Sequence, residues 1–228
     1  MERLSRTKLL LGEQKLEKLK ESTVAVFGVG GVGGYVCESL ARSGVGKIIL
    51  IDGDVVALSN INRQIIATMS TVGKQKTEVM KDRILDINPE CEVVTYNMFF
   101  EDSTKDIIDL SSVDYIADCI DRVTNKIALI KLAKDKGIKI ISAMGAGNKL
   151  DATRFVVEDI YKTSVCPLCK VMRKELSKIG VDNLKVVYST EQPLKNQEEY
   201  CGKAVCGSIS YVPSVMGLIM SGEIIKDL

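Results

Sequence analysis

The hydrophobic positions of this chain recur in short apolar runs separated by longer amphipathic stretches. Runs of strand length fall at 23–28, 47–51, 92–96, 114–118 and 138–142. The first two read Thr23-Val-Ala-Val-Phe27 and Lys47-Ile-Ile-Leu-Ile51. Helix-like stretches near 32–43, 73–87, 102–110 and 123–136 follow the first four runs. In the second of these, Val79, Met80, Ile84 and Ile87 return near helical spacing before Asn88-Pro89. Strands alternating with helices predict an α/β fold: a Rossmann-like, doubly wound, mostly parallel sheet. The alternation breaks near Leu150. Beyond it lie two further β-rich pieces (153–157 and 184–188), a basic helix near 167–178, a polar loop over 189–207 and a closing apolar helix. The polar loop is expected to be mobile from Glu191 to Gly207. The chain therefore reads as one domain over 1–228, with a core at about 20–150 and a C-terminal elaboration at 151–228.

Composition narrows the class. A length of 228 residues, 46% hydrophobic and 27% charged, suits a single domain with a large core. The start, Met1-Glu-Arg-Leu-Ser-Arg-Thr-Lys8, has no apolar stretch of signal-peptide length. The most apolar late run, Val212 to Ile225, holds Pro213 and Glu223 and does not read as a membrane span. Seven cysteines without a secretion signal point to reduced thiols or metal, so a cytoplasmic protein is expected. Histidine is absent, which excludes a Ser-His-Asp triad, a histidine base and histidine metal ligands.

The chemistry concentrates between residues 28 and 76. Gly28, Gly30 and Gly33 form G-x-G-x-x-G between the first strand and the first helix, the setting in which backbone amides cradle phosphate. Asp52 closes the second strand, where an acid takes ribose hydroxyls. Arg63 and Lys76 follow. A nicotinamide enzyme has no use for two cations there, whereas polyphosphate does, because they neutralise charge growing at the α-phosphorus during attack. Asp121 follows the fourth strand, as a phosphate-site acid or as a helix N-cap.

In order along the chain stand Arg3-Leu-Ser-Arg6, the glycine loop, Asp52-Gly-Asp54, Ser59-Asn60-Ile-Asn-Arg63-Gln64, Lys76 and Asp118-Cys-Ile-Asp121. Together these resemble the ATP-dependent activating enzymes related to ubiquitin activators, including the MoeB and ThiF proteins. Ala41-Arg-Ser-Gly-Val-Gly46, Asp86-Ile-Asn-Pro89, Gly145-Ala-Gly-Asn148 and Asp159-Ile-Tyr-Lys-Thr163 resemble, within that group, the tRNA threonylcarbamoyladenosine dehydratase (TcdA) family. The resemblance covers nearly the whole chain.

It implies ATP held by Gly28, Gly30, Gly31, Gly33, Asp52, Asp54, Asn60 and Gln64, with Arg63, Lys76 and Asp121 catalytic and magnesium on Asp121. Arg122 stands where relatives often have Asn. The resemblance also implies a homodimer in which Arg6 reaches the partner's nucleotide. The reaction implied is ATP-dependent cyclising dehydration of threonylcarbamoyladenosine in tRNA, through an adenylated carboxylate. An ionised carboxylate needs placement and charge neutralisation rather than a base, so the absence of histidine is tolerated. The alternative is an activator of a small ubiquitin-like sulfur-carrier protein, with a sulfur-transfer system as partner. An NAD-binding redox protein is a third reading, opposed by Arg63, Lys76 and Asp121.

Two features are ambiguous in the sequence. Cys166-Pro-Leu-Cys169, with Cys201 and Cys206, could supply four thiolates to structural zinc. MoeB-like relatives carry such a zinc on two C-x-x-C pairs, but here four residues separate the second pair, and TcdA-like proteins generally lack the metal. Cys37, Cys91 and Cys119 read as buried small hydrophobes. Net charge is only +1, yet residues 162–195 hold seven basic against three acidic residues. Lys170, Arg173, Lys174 and Lys178 would share one helix face, a phosphate-docking surface or a solvated one.

Overall fold

A computed structural model describes residues 2–195 and 206–228, with the backbone of 199–200 and 203–204 between them. Seven strands form one sheet: β1 (Thr23–Phe27), β2 (Lys47–Ile51), β3 (Glu92–Tyr96), β4 (Tyr115–Asp118), β5 (Lys139–Ala143), β6 (Phe155–Asp159) and β7 (Lys185–Ser189). Their spatial order is β3-β2-β1-β4-β5-β7-β6. All neighbours run parallel except β6, which pairs antiparallel with β7 at the edge. The mostly parallel, doubly wound α/β sheet expected from the alternation is present.

The alternation of side chains along β1 explains how the sheet is covered. Val24 and Val26 enter one core, and Ala25 and Phe27 enter the other. The first core lies under α3 (Gly33–Arg42), α4 (Lys76–Ile87) and the closing α7 (Tyr211–Asp227). The second lies under α5 (Val123–Lys136) and α6 (Pro167–Lys178). β1 and β4 are buried along their whole length, which fixes register, since a one-residue slip would exchange the two faces. That register sets Phe27 opposite Ile51 on one side and Asp118 on the other. The carboxyl ends of β2, β1 and β4 are therefore level. The strand order reverses between β1 and β4, and ligands of such sheets sit at that switch point.

Three stretches depart from the sequence pattern. Residues 102–110 are turns rather than a helix. The Thr104 hydroxyl donates to the Glu101 and Phe99 carbonyls and accepts from the Glu101 amide, offering the backbone local partners that compete with a helix. The second helix-like stretch, near 73–87, becomes helical only from Lys76. Gly73 has φ +88°, and Gln75 is extended and bridges to Val55. The first residues, for which no element was expected, form α1 (Ser5–Leu11) and α2 (Glu13–Glu21), broken at Gly12 with φ +79°. Part of the expected mobile loop, including Cys201, lies outside the described residues. Among the described residues, no helix is long and apolar enough to cross a membrane.

Candidate active site

A cavity of about 770 Å³ opens at the carboxyl edge of β1, β2 and β4. The glycine loop forms its floor. Gly28 has φ +90°, and a Cβ there would stand 2.7 Å from the Cys119 carbonyl oxygen. A Cβ on Gly33 would stand 1.8 Å from the Gly28 carbonyl oxygen, so the turn closes only without side chains. The loop is tied to its neighbours by the Gly28 amide donating to Ile51 O (2.8 Å) and the Cys119 amide donating to Phe27 O (2.8 Å).

Asp52 is buried and held from two sides. The Val29 amide donates to Oδ2 at 2.7 Å, and the Asp54 amide to Oδ1 at 2.8 Å. Burial raises its carboxyl above the usual range, against the pull of Lys76 and those two amides. Lys76 is placed by an antiparallel return: Val56 N donates to Lys74 O (2.8 Å) and Lys76 N to Asp54 O (3.1 Å). Its ammonium, only 5% exposed, sits 2.7 Å from Asp54 Oδ2. A buried lysine paired to a half-exposed carboxylate can exchange that partner for a phosphate oxygen without losing its charge balance.

The turn at 58–64 carries the other polar groups. Asn60 Oδ1 accepts the Ala57 amide, shaping the turn. Arg63 donates to Ser59 O and Asn62 Oδ1, and its stem would lie 3.3 Å from a Cβ on Gly31. Gln64 is buried beside Gly30, and its Oε1 has no hydrogen-bond partner.

Asp121 lines the same cavity and is exposed. The N-cap of α5 is Arg122 and no side chain bonds there, so the capping role that the sequence left open for Asp121 is not taken. Its carboxylate suits a hard divalent cation shared with phosphate oxygens. Beneath it, Asp118 and Lys126 form a fully buried ion pair at 2.9 Å. Ser142 Oγ donates to Asp118 at 2.5 Å, the Ile120 amide donates to Asp118, and Lys126 donates to Ile120 O at 3.0 Å. The turn between β4 and α5 is thus stapled from below.

All of the candidate nucleotide residues of the glycine loop, Asp52, Asp54, Asn60, Arg63, Gln64, Lys76 and Asp121 meet in this one cavity except Gly33, which closes the turn beneath it. A model of the ThiF family matches residues 3–228. The chain belongs to the ThiF family. The tRNA threonylcarbamoyladenosine dehydratase of Bacillus subtilis (strain 168) is 45% identical over 241 residues, covering 100% of this chain and 95% of the relative. The crystal structure of Escherichia coli TcdA with AMP has a TM-score of 0.92 to this chain at 34% identity, covering 99% of this chain and 93% of that one. The same enzyme with ATP gives a TM-score of 0.90 over the same coverage. That coverage explains why the motifs of this ThiF-family chain are legible along its whole length.

The other half of the cavity was not assigned to the site by sequence. Met98, Phe99 and Phe100 enter from the end of β3, and Gly145, Ala146 and Gly147 from the end of β5. Gly145-Ala-Gly-Asn148 stood out only as a family motif, and for Met98 to Phe100 position after a parallel strand was the available signal. Asn148, at φ 57°, ties this half to the C-terminal segment: its Oδ1 accepts the Gly207 amide at 2.6 Å, and its amide donates to Gly207 O. Asn62 crosses to Ser208 O at 3.0 Å. Cys119 packs against the first core as expected and also lines the cavity, and burial pushes its thiol well up.

Several expected groups lie elsewhere. Arg6 is exposed on α1 and does not line the cavity of its own chain. Cys166 and Cys169 are buried at the start of α6. The Cys169 thiol donates to Cys166, which lowers the Cys166 thiol and raises its own. Cys206 lies by Gly147, and Cys201 is outside the described residues. Among the described residues, no three Cys, Asp or Glu side chains converge as a metal site. The basic face of α6 is partly spent: Arg173 donates to Thr163, and Lys178 pairs with Glu175 at 2.7 Å. Lys170 and Lys174 remain exposed.

Proposed function

We propose that this chain, acting as one ThiF-like domain, uses ATP to dehydrate and cyclise threonylcarbamoyladenosine in tRNA. The observation that carries the reading is the convergence of a ribose acid, two cations and an exposed carboxylate on one cavity. The full-length identity to a relative named for this reaction supports the acceptor. ATP lies with its ribose on Asp52 and its phosphates over Gly28–Gly33. Lys76 leaves Asp54 for phosphate oxygen, and Arg63 swings from the Ser59 carbonyl to do the same. The threonyl carboxylate attacks the α-phosphorus, forming a carboxyl–phosphate bond as pyrophosphate leaves. A nucleophile within the modified nucleoside then closes on the activated carbonyl and expels AMP. The oxygen of the lost water leaves on AMP, and its hydrogens leave as protons, one from the ionised carboxyl and one from the closing nucleophile. A magnesium ion on Asp121 would neutralise charge between phosphate oxygens.

The reading extends to a homodimer in which Arg6 completes the partner's site. Leu9 and Leu10, on the same short helix, are 86% and 87% exposed and gain cover in such an assembly. Mixing Arg6→Ala with Asp121→Ala chains should restore up to roughly a quarter of the activity, since half the dimers are mixed and each holds one intact site. No recovery after confirmed exchange contradicts action in trans. The reaction itself is tested by nucleoside analysis of tRNA incubated with the protein and ATP. Loss of one water from threonylcarbamoyladenosine is expected. Unchanged tRNA, with adenylation of a Gly-Gly-tailed sulfur-carrier protein instead, would overturn the reading. Thiol and zinc assays on the intact chain decide whether metal accompanies Cys166, Cys169, Cys201 and Cys206.

A further inference from the structure

The wall of the neutral half is held from behind by side chains that the chemistry above does not use. Gly145 and Gly147 line the cavity, and neither has a side chain to fix its place. Behind Gly145 stands Cys166: a Cβ on Gly145 would lie 3.6 Å from its sulfur. Behind Gly147 stands Lys149, whose ammonium donates to the Gly147 carbonyl at 3.4 Å. Lys149 is only 4% exposed and makes no ion pair with a carboxylate among the described residues. A buried cation needs an anion close by, and the Cys166 sulfur is the one at hand. The Cys169 thiol, the Cys169 and Gly145 amides and the Lys149 charge all favour the Cys166 thiolate, against its burial.

Cys166 has a second thiol beside it. It is the N-cap of α6, and Cys169 stands three residues on, in the first turn. Neighbours at that spacing on a helix have Cβ atoms about 5–6 Å apart. A disulfide needs about 3.5–4.5 Å. The N-cap is flanking backbone, extended here, so Cys166 can close that gap without unwinding α6. Pro167, at the first helical position, keeps the start of the helix fixed meanwhile. Both sulfurs are buried, so a bulky oxidant is kept away. A small one has a short path, because Cys166 lies directly behind a cavity-lining residue that has no side chain.

We infer that Cys166 and Cys169 form a thiol–disulfide switch that sets the acceptor wall of the cavity and leaves the nucleotide half alone. The oxidant is hydrogen peroxide. The Cys166 sulfur takes one peroxide oxygen as the O–O bond breaks, and the other oxygen leaves as water. The Cys169 sulfur then attacks Cys166, the S–S bond forms, and the second oxygen leaves as water. Two electrons and two protons pass from the thiols to the peroxide. A disulfide sulfur carries no charge. The Gly145 amide then loses its anion, Lys149 becomes a buried cation facing only a carbonyl, and the Gly145–Gly147 wall loses its support. Asp52, Arg63, Lys76 and Asp121 stand on other turns and keep their places. The consequence for tRNA rests on the dehydratase reading.

The test compares the intact chain before hydrogen peroxide, after it, and after reduction with dithiothreitol. Mass analysis of the peptide holding Cys166 and Cys169 should show the loss of two hydrogens, regained on reduction. The KM for tRNA should rise about fivefold in the oxidised chain, the scale of one lost hydrogen bond, with the KM for ATP unchanged. Cys166→Ser should abolish the response to peroxide, whereas Cys206→Ser should keep it. Thiols that both stay free under peroxide would overturn the switch, as would zinc retained on them. A disulfide that raises the KM for tRNA and ATP alike, or neither, would overturn its confinement to the acceptor wall. A reduced chain that leaves tRNA unchanged would sink the dehydratase reading instead, a distinct result, because the mass measurement decides the disulfide without substrate.

Discussion

The two halves of the cavity are built on opposite principles. The nucleotide half, from Gly28 to Lys76 with Asp121, is dense in charge, and most of its polar groups are held by backbone amides or by each other. In the half bounded by Gly145–Gly147, Leu168, Cys206–Ser208 and Pro213, no ionised side chain lines the wall among the described residues. Its shape comes from glycine and from backbone ties such as Asn148 to Gly207 and Asn62 to Ser208. A polyphosphate demands fixed charge, which costs desolvation and must be paired in the empty site, as Lys76 is with Asp54. An acceptor arriving on a large partner demands room and a neutral wall. A single attacking carboxylate then meets its electrostatic guidance only at the phosphorus.

The contrast can be broken at four points. Lys126→Met should have the largest effect, because it leaves Asp118 as a fully buried charge without its partner. A loss of about 3–5 kcal/mol of stability is expected in chemical denaturation. A change below the error of the measurement would mean that the turn carrying Asp121 is not stapled by this pair. Arg63→Ala and Lys76→Ala come next, each lowering pyrophosphate release by about two to three orders of magnitude, or roughly 3–4 kcal/mol. Near-normal release in both would remove them from the site.

Substitution in the neutral half should act on the acceptor alone. A Cβ on Gly147 would stand 3.0 Å from Cys206 Cβ, so Gly147→Ala forces a local shift worth about 1 kcal/mol. The expected result is a KM for tRNA raised about fivefold, with the KM for ATP unchanged. A rise in both would show that the halves are not separable. The smallest effect belongs to α6. With Arg173 and Lys178 already engaged, only Lys170 and Lys174 are open to phosphate. Reversing both charges should flatten the slope of log K against log salt for tRNA by about 1.5, at roughly 0.7–0.9 per contact. An unchanged slope would make this face merely solvated.

The same division governs what the sequence revealed. Strands β1, β2 and β4 lie within a residue or so of their apolar runs, because each is enclosed by neighbouring strands and helices. The nucleotide half was legible because its residue types are dictated by phosphate and ribose, and Gly28, Asp52, Arg63 and Lys76 stand close together in the chain. The neutral half was legible only in part: Gly145-Ala-Gly-Asn148 stood out as a family motif, whereas Leu168 and Pro213 are ordinary core or turn residues until the fold brings them together. The turns at 102–110 escaped for a different reason. Ile107 and Leu110 fall at the spacing a helix would show, but Ile107 is 60% exposed and Thr104 diverts the backbone. Helix α1 escaped because Leu9 and Leu10 face solvent and none of its residues is buried, whereas α2 buries only Leu16 and Leu19 at helical spacing, a short signal in an otherwise charged stretch.

The central claim is that a carboxylate attacks the α-phosphorus in this cavity, and isotope transfer tests it most directly. tRNA whose threonylcarbamoyl carboxylate carries heavy oxygen would be incubated with the protein and unlabelled ATP, and the released AMP analysed by mass. The mechanism predicts one labelled oxygen in each AMP formed, with pyrophosphate unlabelled. Label-free AMP, or cleavage to ADP and phosphate, would contradict it.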